Sequence, residues 1–433
     1  VLDTAVENAV AAGMTVVIAA GNSGPKGSTI SSPGVAPDAI TVAASSNGHT
    51  ILPAVRVTGP GSVPSSLGAI ESVAGGTAAG CALNVAIGPL SCISEASLPI
   101  NNKRGCKAAK IPPNVLAGDV ALIERGICSF TQKINNAQAA GALSAIIYNQ
   151  DISENPADGG DALIGMDVTG TSIPSVFVKR SDGLALVSWV TQNPTAQIEI
   201  SEASEFANTS DVVASFSSRG PTVTGILKPD IAAPGVNIYS GAIKACSEVS
   251  DPTGFAAVSG TSQATPHVAG SAALLKQLHP DWTPEQIKSA LISSATSQVF
   301  DDAAKTTQSD VLEVGGGRVD LGAASSVSVT TDPANLSFGA TKLKKTVTLG
   351  LNLTVTNVAT GGNFAISVNQ LNPDPKVIVN PSTTSLSLTQ GGSGPVTITV
   401  TARKPAAKRD YTGYIVITPS AGSPQRIPYW FQL

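Results

Sequence analysis

Charged and aromatic side chains are scarce in this chain of 433 residues. Charged residues make up 13% of the sequence, about half of the usual quarter, and aromatic residues make up 4%. Hydrophobic residues reach 42%, which excludes a disordered chain because so much material can form a core. The net charge is -4 and Lys and Arg form no block, so no nucleic-acid partner is expected.

Long apolar runs and a starting methionine are also absent. The purest apolar run is Met14 to Ala20, well short of the roughly 18 residues that a membrane helix needs, so no membrane span is expected. The chain starts at Val1, and apolar residues at helical spacing from Val1 to Ala12 lead into the strand-like residues Thr15 to Ala20. We therefore expect the chain to begin inside a domain and to be the C-terminal part of a longer protein.

The five cysteines include none of the CxxC pairs of a zinc site. Cys81, Cys92, Cys106 and Cys128 are clustered, which predicts one or two disulfides among three possible pairings that the sequence leaves open. Cys246 lies apart from them and is expected to be a small buried residue. Disulfides persist in oxidising compartments, so the sequence predicts a secreted, extracellular protein.

At about 150 residues per domain, the length predicts roughly three domains. Strand-like runs at Thr15–Ala20, Ile40–Ala44 and Val212–Phe216 combine with a helix at Thr265–Leu278, and this alternation favours an α/β domain. The helix is almost free of charge, so we expect it to be buried. A capping box at Thr283–Gln286 predicts a further helix after it.

Residues 53–205, which lie between these strands in sequence, differ from the flanking segments in composition and pattern. Residues 53–205 hold four of the five cysteines and a strand–helix–strand pattern at 119–124, 130–140 and 145–149, which predicts an inserted α+β domain. From residue 329 onward, apolar and polar residues alternate between Asn, Pro and Gly turns, as in an all-β sandwich. The predicted domains are 1–52 and 206–328 for the split α/β domain, 53–205 for the insert and 329–433 for the sandwich.

One serine lies where a helix can help it react. Ser262 belongs to the segment Gly260–Gly270, in which small residues lead into an apolar helix. The unpaired N–H groups and positive dipole end of such a helix favour a developing oxyanion, so Ser262 is positioned to attack a carbonyl group. The alternative is a serine that merely caps the helix. His267 lies five residues from Ser262, whereas helical side chains meet at a spacing of three or four, so we interpret it as structural.

A second candidate residue lies after the first apolar strand. Asn22 follows the run Val16–Ala20 and precedes Ser23 and Gly24. Its side-chain amide can donate a hydrogen bond to a tetrahedral intermediate, which speeds acyl transfer without moving a proton. The alternative is an Asn selected for a turn, since Asn-Ser-Gly is common turn chemistry. In combination with Ser262, Asn22 is the expected oxyanion donor.

Both segments resemble motifs of the subtilases, the subtilisin-like serine proteases. Gly260–Gly270 is similar to the family's nucleophile motif except at Gln263, where Met is usual. Val16–Gly24 is similar to the strand and turn that present the family's oxyanion Asn. Val213–Pro221 and Leu227–Gly235 are similar to segments that build the sheet and the pocket walls. The resemblance implies a subtilisin-like parallel-sheet domain that is incomplete at its N-terminus.

The resemblance also implies the chemistry. It implies a secreted serine endopeptidase that acts on polypeptides, with Ser262 as the nucleophile and Asn22 in the oxyanion hole. Arg219 and Asp230 would have structural rather than catalytic roles. No cofactor is required for such a reaction. Structural calcium is common in the family, but no ligand set can be placed in this sequence.

The insert resembles a protease-associated domain, which occurs in many large subtilases. The similarity lies in Gly118–Phe130, Lys133, Asn136–Ala142 and Ile173–Phe177. Such domains usually govern substrate access or assembly. The acidic stretch Asp151–Asp161 is expected to be a mobile, solvated loop rather than a metal-binding loop. The C-terminal sandwich is expected to be fibronectin III-like.

Two residues that the family requires are absent. Subtilases carry a catalytic Asp, His and Ser in that order, so an Asp-Ser/Thr-Gly and a His-Gly-Thr-His segment should precede Asn22. Neither occurs, and His49, His267 and His279 lie outside any such segment. We expect the triad Asp and His to lie in a segment upstream of Val1, which would be a partner of this chain and without which the chain is inactive.

A rival hypothesis is a non-catalytic subtilase relative that acts as a binding or scaffold module. The absent Asp and His favour it, whereas the presence of both Ser262 and Asn22 disfavours it. An esterase of the α/β-hydrolase type is excluded, because Ser262 is not enclosed by the Gly-x-Ser-x-Gly elbow of that fold.

Overall fold

The described part of the chain forms two compact units. The structure is a computed structural model and describes residues 2–75, 88–92, 104–156, 159–241 and 255–433. Unit 1 consists of Val1–Gly48, Asn208–Ile238 and Val258–Leu433, and unit 2 consists of His49–Ala207 and Tyr239–Ala257. The segment from 329 onward therefore belongs to the same unit as residues 1–48.

The helices and strands follow one another along the chain. Before residue 49 they are α1 (Leu2–Ala11), β1 (Val17–Ala19) and β2 (Ile40–Ser45). Residues 49–207 form β3 (His49–Gly59), β4 (Ile70–Gly75), β5 (Gly88–Cys92), β6 (Val120–Glu124), α2 (Phe130–Ala139), β7 (Ser144–Tyr148), β8 (Ser175–Val178), α3 (Arg180–Gln192) and β9 (Gln197–Ala207). The next elements are β10 (Ile231–Pro234), β11 (Ile238–Gly241), β12 (Phe255–Val258), α4 (Thr261–Leu278), α5 (Pro284–Ser294), α6 (Val311–Val314) and α7 (Leu321–Ala324). The last are β13 (Val329–Asp332), β14 (Leu336–Ala340), β15 (Thr346–Asn357), β16 (Gly362–Gln370), β17 (Val377–Pro381), β18 (Ser385–Leu388), β19 (Ser393–Arg403), β20 (Asp410–Pro419) and β21 (Gln425–Gln432).

Unit 1 contains a parallel sheet with the strand order β1-β2-β10. Its strands are rich in Val, Ile and Ala, as expected for parallel strands that helices cover. One face of α4 packs against this sheet through buried residues at helical spacing: Ala264, Val268, Ala272 and Leu275. The predicted parallel sheet is therefore present.

The strand predicted at Val212–Phe216 is not formed. Val212 and Val213 make isolated bridges, to Phe300 and Ser45 respectively, and the chain then turns. The prediction was wrong because contact with β2 ends at Ala214, whose N–H bonds to the Ala44 carbonyl, whereas the Phe216 carbonyl already accepts the N–H of Gly24 in the loop after β1.

Helix α4 differs from its prediction at its start and in its burial. It begins at Thr261 rather than Thr265, so Ser262 lies inside its first turn. The side away from the sheet is exposed, with Leu274 at 54% and Leu278 at 56% of their full accessibility. The scarcity of charged residues in α4 therefore reflects a second, exposed apolar face and not complete burial of the helix.

Unit 1 ends in two β-sheets, with the orders β13-β15-β19-β17 and β14-β21-β20-β16-β18. Apolar residues of both sheets meet in one core, which includes Val396, Ile398 and Val400 of β19 and Ile415 and Ile417 of β20. Along β19 the buried residues alternate with more exposed ones, as the period of two predicted.

One glutamine joins these sheets to helix α5. Gln425 is 3% exposed, and its Oε1 accepts hydrogen bonds from the N–H groups of Ser328 and Val329, both at 2.9 Å. Its Nε2 donates to the Val329 carbonyl at 2.6 Å and to Ser293 Oγ of α5 at 3.1 Å. The single buried amide of Gln425 thus hydrogen-bonds both to helix α5 and to the start of the C-terminal sheets.

A buried ionic cluster makes a second connection. Asp230 and Lys228 are fully buried, with Lys228 Nζ 2.5 Å from Asp230 Oδ2. Asp230 also accepts hydrogen bonds from the Thr41 N–H of β2 and from Asn335 Nδ2 in the β13–β14 loop, both at 2.8 Å. Lys288 of α5 lies 3.6 Å from Asp230 Oδ1. The sheet, the helix and the C-terminal sheets therefore meet at one carboxylate.

Unit 2 is a closed barrel with the strand order β3-β4-β8-β7-β6-β5-β9. Strands β5, β6, β7 and β8 run parallel to one another, whereas β4 pairs with β8 and β9 pairs with β5 in the antiparallel direction. The strand–helix–strand pattern predicted for the insert corresponds to β6, α2 and β7, so these elements are confirmed.

A disulfide in unit 2 joins Cys106 and Cys128. This confirms one disulfide within the predicted cluster. Cys81 and Cys246 lie outside the described residues, and the side chain of Cys92 is not described either.

Lys133 of α2 is buried beside this disulfide. Its Nζ donates to the carbonyl oxygens of Arg104 at 2.6 Å and Gly126 at 2.8 Å, and it lies 3.7 Å from Cys106 Sγ. Burial, reinforced by the positive charge of Arg104, lowers the pKa of the Lys133 ammonium to about 7.

The acidic stretch Asp151–Asp161 is fastened at two points. Asp151 Oδ2 lies 3.4 Å from Arg180 Nε, and Glu154 Oε2 lies 2.6 Å from Arg104 Nη2. Residues 157 and 158 lie outside the described chain. Both carboxylates pair with arginines of unit 2 while their side chains remain 44% and 42% exposed.

We predict that Gln425→Ala destabilises unit 1 by about 2–4 kcal/mol, because it leaves two buried N–H groups without an acceptor. Urea unfolding followed by tryptophan fluorescence measures this, since Trp282 and Trp430 lie in unit 1. Gln390→Ala, on the exposed turn between β18 and β19, is the matched control and should cost less than about 0.5 kcal/mol. Equal losses in the two variants would contradict the assigned role.

The free energy of unfolding of unit 2 should rise between pH 7 and pH 9. The unfolded chain keeps the Lys133 proton up to about pH 10.4, whereas the folded protein releases it near pH 7, so the unfolded state binds more protons in this window. Lys133→Met should flatten the rise, and Lys110→Met, at an exposed lysine of the same unit, should keep it. Urea unfolding at several pH values, read from Trp189 fluorescence, tests this; an undiminished slope in Lys133→Met would disprove it.

Candidate active site

The two candidate residues lie at the carboxyl end of the parallel sheet. Asn22 follows β1, and the N–H of Gly260, two residues before Ser262, bonds at 2.8 Å to the carbonyl of Gly235, directly after β10. The Gly235 N–H bonds in turn to the carbonyl of Ser45, at the end of β2, at 2.8 Å. The carboxyl ends of parallel strands are where α/β folds commonly carry their sites.

The side chain of Asn22 is oriented by Thr261. Asn22 Oδ1 accepts hydrogen bonds from the Thr261 N–H at 3.0 Å and from the Thr261 hydroxyl at 2.9 Å. Thr261 is 1% exposed, and its Oγ1 accepts the N–H of Gly21 at 3.2 Å. Because a backbone N–H can only donate, the amide oxygen must face Thr261 and Nδ2 must face away from it. The exposed residue Asn22 thus presents an N–H donor.

Asn22 Nδ2 and the backbone nitrogen of Ser262 both lie beside Gly260. A Cβ atom at position 260 would lie 3.5 Å from Asn22 Nδ2 and 3.7 Å from the backbone nitrogen of Ser262, so both nitrogens surround one point. The same Cβ would lie only 2.7 Å from Gln263 Oε1, so a larger residue would displace that side chain. Two donors that converge beside a serine hydroxyl can stabilise an oxyanion.

Ser262 is the second residue of the 18-residue helix α4. Its side chain is exposed, and neither its hydroxyl nor its N–H bonds to another residue of the described chain. N–H groups in the first turn of a helix have no partner within the helix, and the helix dipole adds partial positive charge there. Negative charge that develops beside Ser262 is therefore favoured, which suits a serine that attacks a carbonyl group.

Of the histidines that the structure describes, none bonds to Ser262. His267 Nδ1 lies 2.9 Å from a carbonyl oxygen one turn earlier in its own helix, which agrees with a structural role. His279 caps the C-terminus of α4 and stacks on Trp282 with the ring centres 3.8 Å apart. His49 begins β3 in unit 2.

Arg219 and Asp230 are both engaged inside unit 1. Arg219 pairs with Glu313 of α6, and burial raises the pKa of the Glu313 carboxyl to about 7. Asp230 lies in the buried cluster with Lys228. These contacts account for both side chains without a catalytic role.

Sequence reasoning missed Thr261. The one local signal for a role of Thr261 in the site was its position directly before Ser262 in the motif. Its partner Asn22 lies 239 residues away, so the hydrogen bonds that orient the amide could not be read from either segment alone.

Two kinds of feature are not found in the described ranges. No three His, Cys, Asp or Glu side chains come together there as a metal site would require. No helix in these ranges is both long and apolar enough to cross a bilayer.

Comparison with known proteins identifies relatives. A sequence model of the subtilase family matches residues 1–316. The minor extracellular protease Vpr of Bacillus subtilis is 33% identical over 301 residues, which are 68% of this chain and 33% of that protein. The subtilisin-like protease SBT3.9 of Arabidopsis thaliana is 35% identical over 324 residues, which are 72% of this chain and 38% of that protein. The chain thus spans little more than a third of the length of these curated relatives.

One solved structure shows a weaker likeness. The psychrophilic subtilisin-like protease Apa1 from Pseudoalteromonas sp. AS-11 matches 75% of this chain and 66% of its own, with 18% identity and a TM-score of 0.34.

Proposed function

Because the chain belongs to the subtilase family, we propose that it carries the nucleophile and the oxyanion donors of a serine endopeptidase. Ser262 supplies the hydroxyl, and Asn22 Nδ2 and the Ser262 N–H bind the oxyanion. The observation that carries the proposal is the pair of Thr261 hydrogen bonds, 3.0 and 2.9 Å long, that turn Asn22 Nδ2 away from Thr261; Nδ2 lies 3.5 Å from the point that a Cβ at Gly260 would occupy. The substrate class is a polypeptide.

In the proposed reaction, the Ser262 hydroxyl attacks a peptide carbonyl carbon and passes its proton to a histidine. The carbonyl oxygen gains negative charge and is held by Asn22 and the Ser262 N–H. The histidine protonates the leaving amine as the C–N bond breaks, which leaves an acyl group on Ser262. Water, deprotonated by the same histidine, releases the acid and restores the hydroxyl. No cofactor is required, since every participating group is protein or water.

We infer that this histidine, and the aspartate that orients it, come from a segment N-terminal to Val1. Among the described strands β1 pairs only with β2, so one edge of the parallel sheet offers unpaired backbone groups. Helix α4 contacts β1, and its outer face exposes Leu274 and Leu278. An additional strand and helix would cover both features and bring further residues to the edge where Ser262 lies.

We further propose roles for the remaining parts of the chain. Unit 2 contains a protease-associated domain that governs substrate access, and the C-terminal sheets form a fibronectin III-like sandwich. The contacts of Gln425 and Asp230 support a stabilising role for this sandwich. The disulfide between Cys106 and Cys128 supports secretion into an oxidising compartment.

The alternative is a non-catalytic relative that uses the subtilase part as a scaffold. It is favoured by one observation: no histidine of the described chain bonds to Ser262. A scaffold, however, has no use for an amide donor turned toward an exposed serine at a helix N-terminus.

We predict that Asn22→Ala, in the product of the longer coding sequence, lowers kcat about 10²- to 10³-fold with little change in KM, because the donor acts on the oxyanion rather than on bound substrate. This magnitude is the one known for the oxyanion asparagine of subtilisin and does not derive from this structure. Hydrolysis of fluorescently labelled casein measures it, with the exposed Asn352→Ala as control. An unchanged kcat would remove Asn22 from the mechanism.

The chain of 433 residues alone should neither hydrolyse casein nor react with a fluorophosphonate probe, because the base of Ser262 is absent. The product of the longer coding sequence should do both. Ser262→Ala should abolish its labelling, while Ser326→Ala, at an exposed serine, should not.

Three results would contradict this proposal. An in-frame stop directly before the Val1 codon would exclude the upstream segment. An upstream region without the Asp-Ser/Thr-Gly and His-Gly-Thr-His motifs would favour the scaffold. Persistent labelling of Ser262→Ala would point to another serine.

A further inference from the structure

We propose that Ser218 positions the oxyanion donor, an inference that rests on the proposed function. Ser218 lies in the segment Val213–Pro221, which bonds to the loop after β1. It is fully buried, and it is 195 residues away in sequence from Ser23, the loop residue that it binds. A buried hydroxyl from a distant segment thus reaches the loop that carries Asn22.

Ser218 holds the chain on both sides of Asn22. Its N–H donates to the carbonyl of Gly21 at 2.8 Å, and its Oγ accepts the N–H of Ser23 at 3.0 Å. Gly21 and Ser23 are the immediate neighbours of Asn22. Two hydrogen bonds from one residue therefore fix the backbone from which the Asn22 side chain projects.

The loop is shaped to receive this segment. Gly21 has a φ of +102°, and a Cβ there would lie 3.0 Å from Ser218 Oγ. Gly24 donates its N–H to the carbonyl of Phe216 at 2.8 Å, and a Cβ there would lie 2.1 Å from the carbonyl oxygen of Ser217. Glycine at both positions permits the close approach that the hydrogen bonds require.

The roles of Ser218 and Thr261 are complementary. Thr261 turns the amide of Asn22, whereas Ser218 fixes the backbone beneath it. Loss of the Ser218 hydroxyl leaves the Ser23 N–H without its acceptor, so the loop relaxes and the amide moves. Oxyanion donors must be held to within roughly 0.5 Å of the productive position, so such a movement lowers kcat. Ser218 is thus a positioning residue that acts only through Asn22.

Ser217 provides a matched control. It is also fully buried, and its Oγ accepts one backbone N–H, that of Ala44 in β2, at 3.1 Å. Ser217→Ala therefore also removes one buried hydroxyl that accepts one backbone N–H. The hydrogen bond that it removes holds strand β2, whereas Ser218→Ala removes one that holds the loop with Asn22. A general loss of stability should appear in both variants.

The test measures kcat and KM for labelled casein in the longer gene product, with Asn22→Ala, Ser217→Ala, Ser218→Ala and the double variant Asn22→Ala/Ser218→Ala. Ser218→Ala should lower kcat about tenfold and leave KM within about twofold, since the loss is one of placement. Ser217→Ala should keep both constants near wild type. In the Asn22→Ala background, Ser218→Ala should cause no further loss, because the two residues act as one unit.

Hydrogen exchange in the chain of 433 residues supplies a readout that needs no catalysis. Ser218→Ala should speed exchange at the Ser23 amide, and Ser217→Ala should speed exchange at the Ala44 amide instead. If Ser218→Ala does not fold, Ser218→Cys takes its place. Its sulfur is a weak acceptor, so its kcat should lie between those of wild type and Asn22→Ala.

Several outcomes would overturn the inference. The first is a wild-type kcat in Ser218→Ala, and the second is an equal loss of kcat in Ser217→Ala and Ser218→Ala. The third is a loss of kcat on Ser218→Ala that is as large in the Asn22→Ala background as in the wild type. If Asn22→Ala still loses kcat as predicted, any of these results refutes the role of Ser218 but leaves the proposed function intact. An unchanged kcat in Asn22→Ala refutes the oxyanion donor of the proposed function and this inference with it.

Discussion

The candidate site depends on the contact between Asn22 and Thr261. The two residues are 239 positions apart, and their hydrogen bonds join the loop after β1 to the start of α4. Parallel topology makes the contact possible, because β1, β2 and β10 bring their carboxyl ends to one edge and α4 starts there. In the proposed function the donors are thus placed before any substrate arrives, so little reorganisation is left for the reaction itself.

The scarcity of charge is reflected in how the structure is held together. The loop with Asn22 and the base of the C-terminal sheets are fixed by hydroxyls and amides, those of Thr261, Ser218 and Gln425. Neutral groups cost less to bury than ions, provided that every donor and acceptor is paired. Lys228 is one of the buried ions that depart from this pattern: burial lowers its pKa to about 8, although the adjacent carboxylate opposes this shift.

The sequence allowed local features to be predicted where the signal lay within one segment. The capping box at Thr283 is formed as its spacing indicated, and the period of two gave the buried residues of β19. Features that need a distant partner were missed or wrong. Val212–Phe216 has the composition of a strand, yet its backbone bonds are divided among Phe300, Ala44 of β2 and Gly24 in the loop after β1, all distant in sequence. Likewise, no local pattern could pair Thr261 with Asn22.

Helix α4 shows why composition predicted burial where the described structure shows exposure. Its inner face buries Ala264, Val268 and Leu275 against the sheet, while its outer face exposes Leu274 and Leu278. A helix that is apolar on all sides is normally enclosed by its protein. Its composition is thus that of a helix covered on two sides, of which the described chain covers one. A segment that packed against this side would cover Leu274 and Leu278, and a strand added beside β1 would pair the open edge of the sheet.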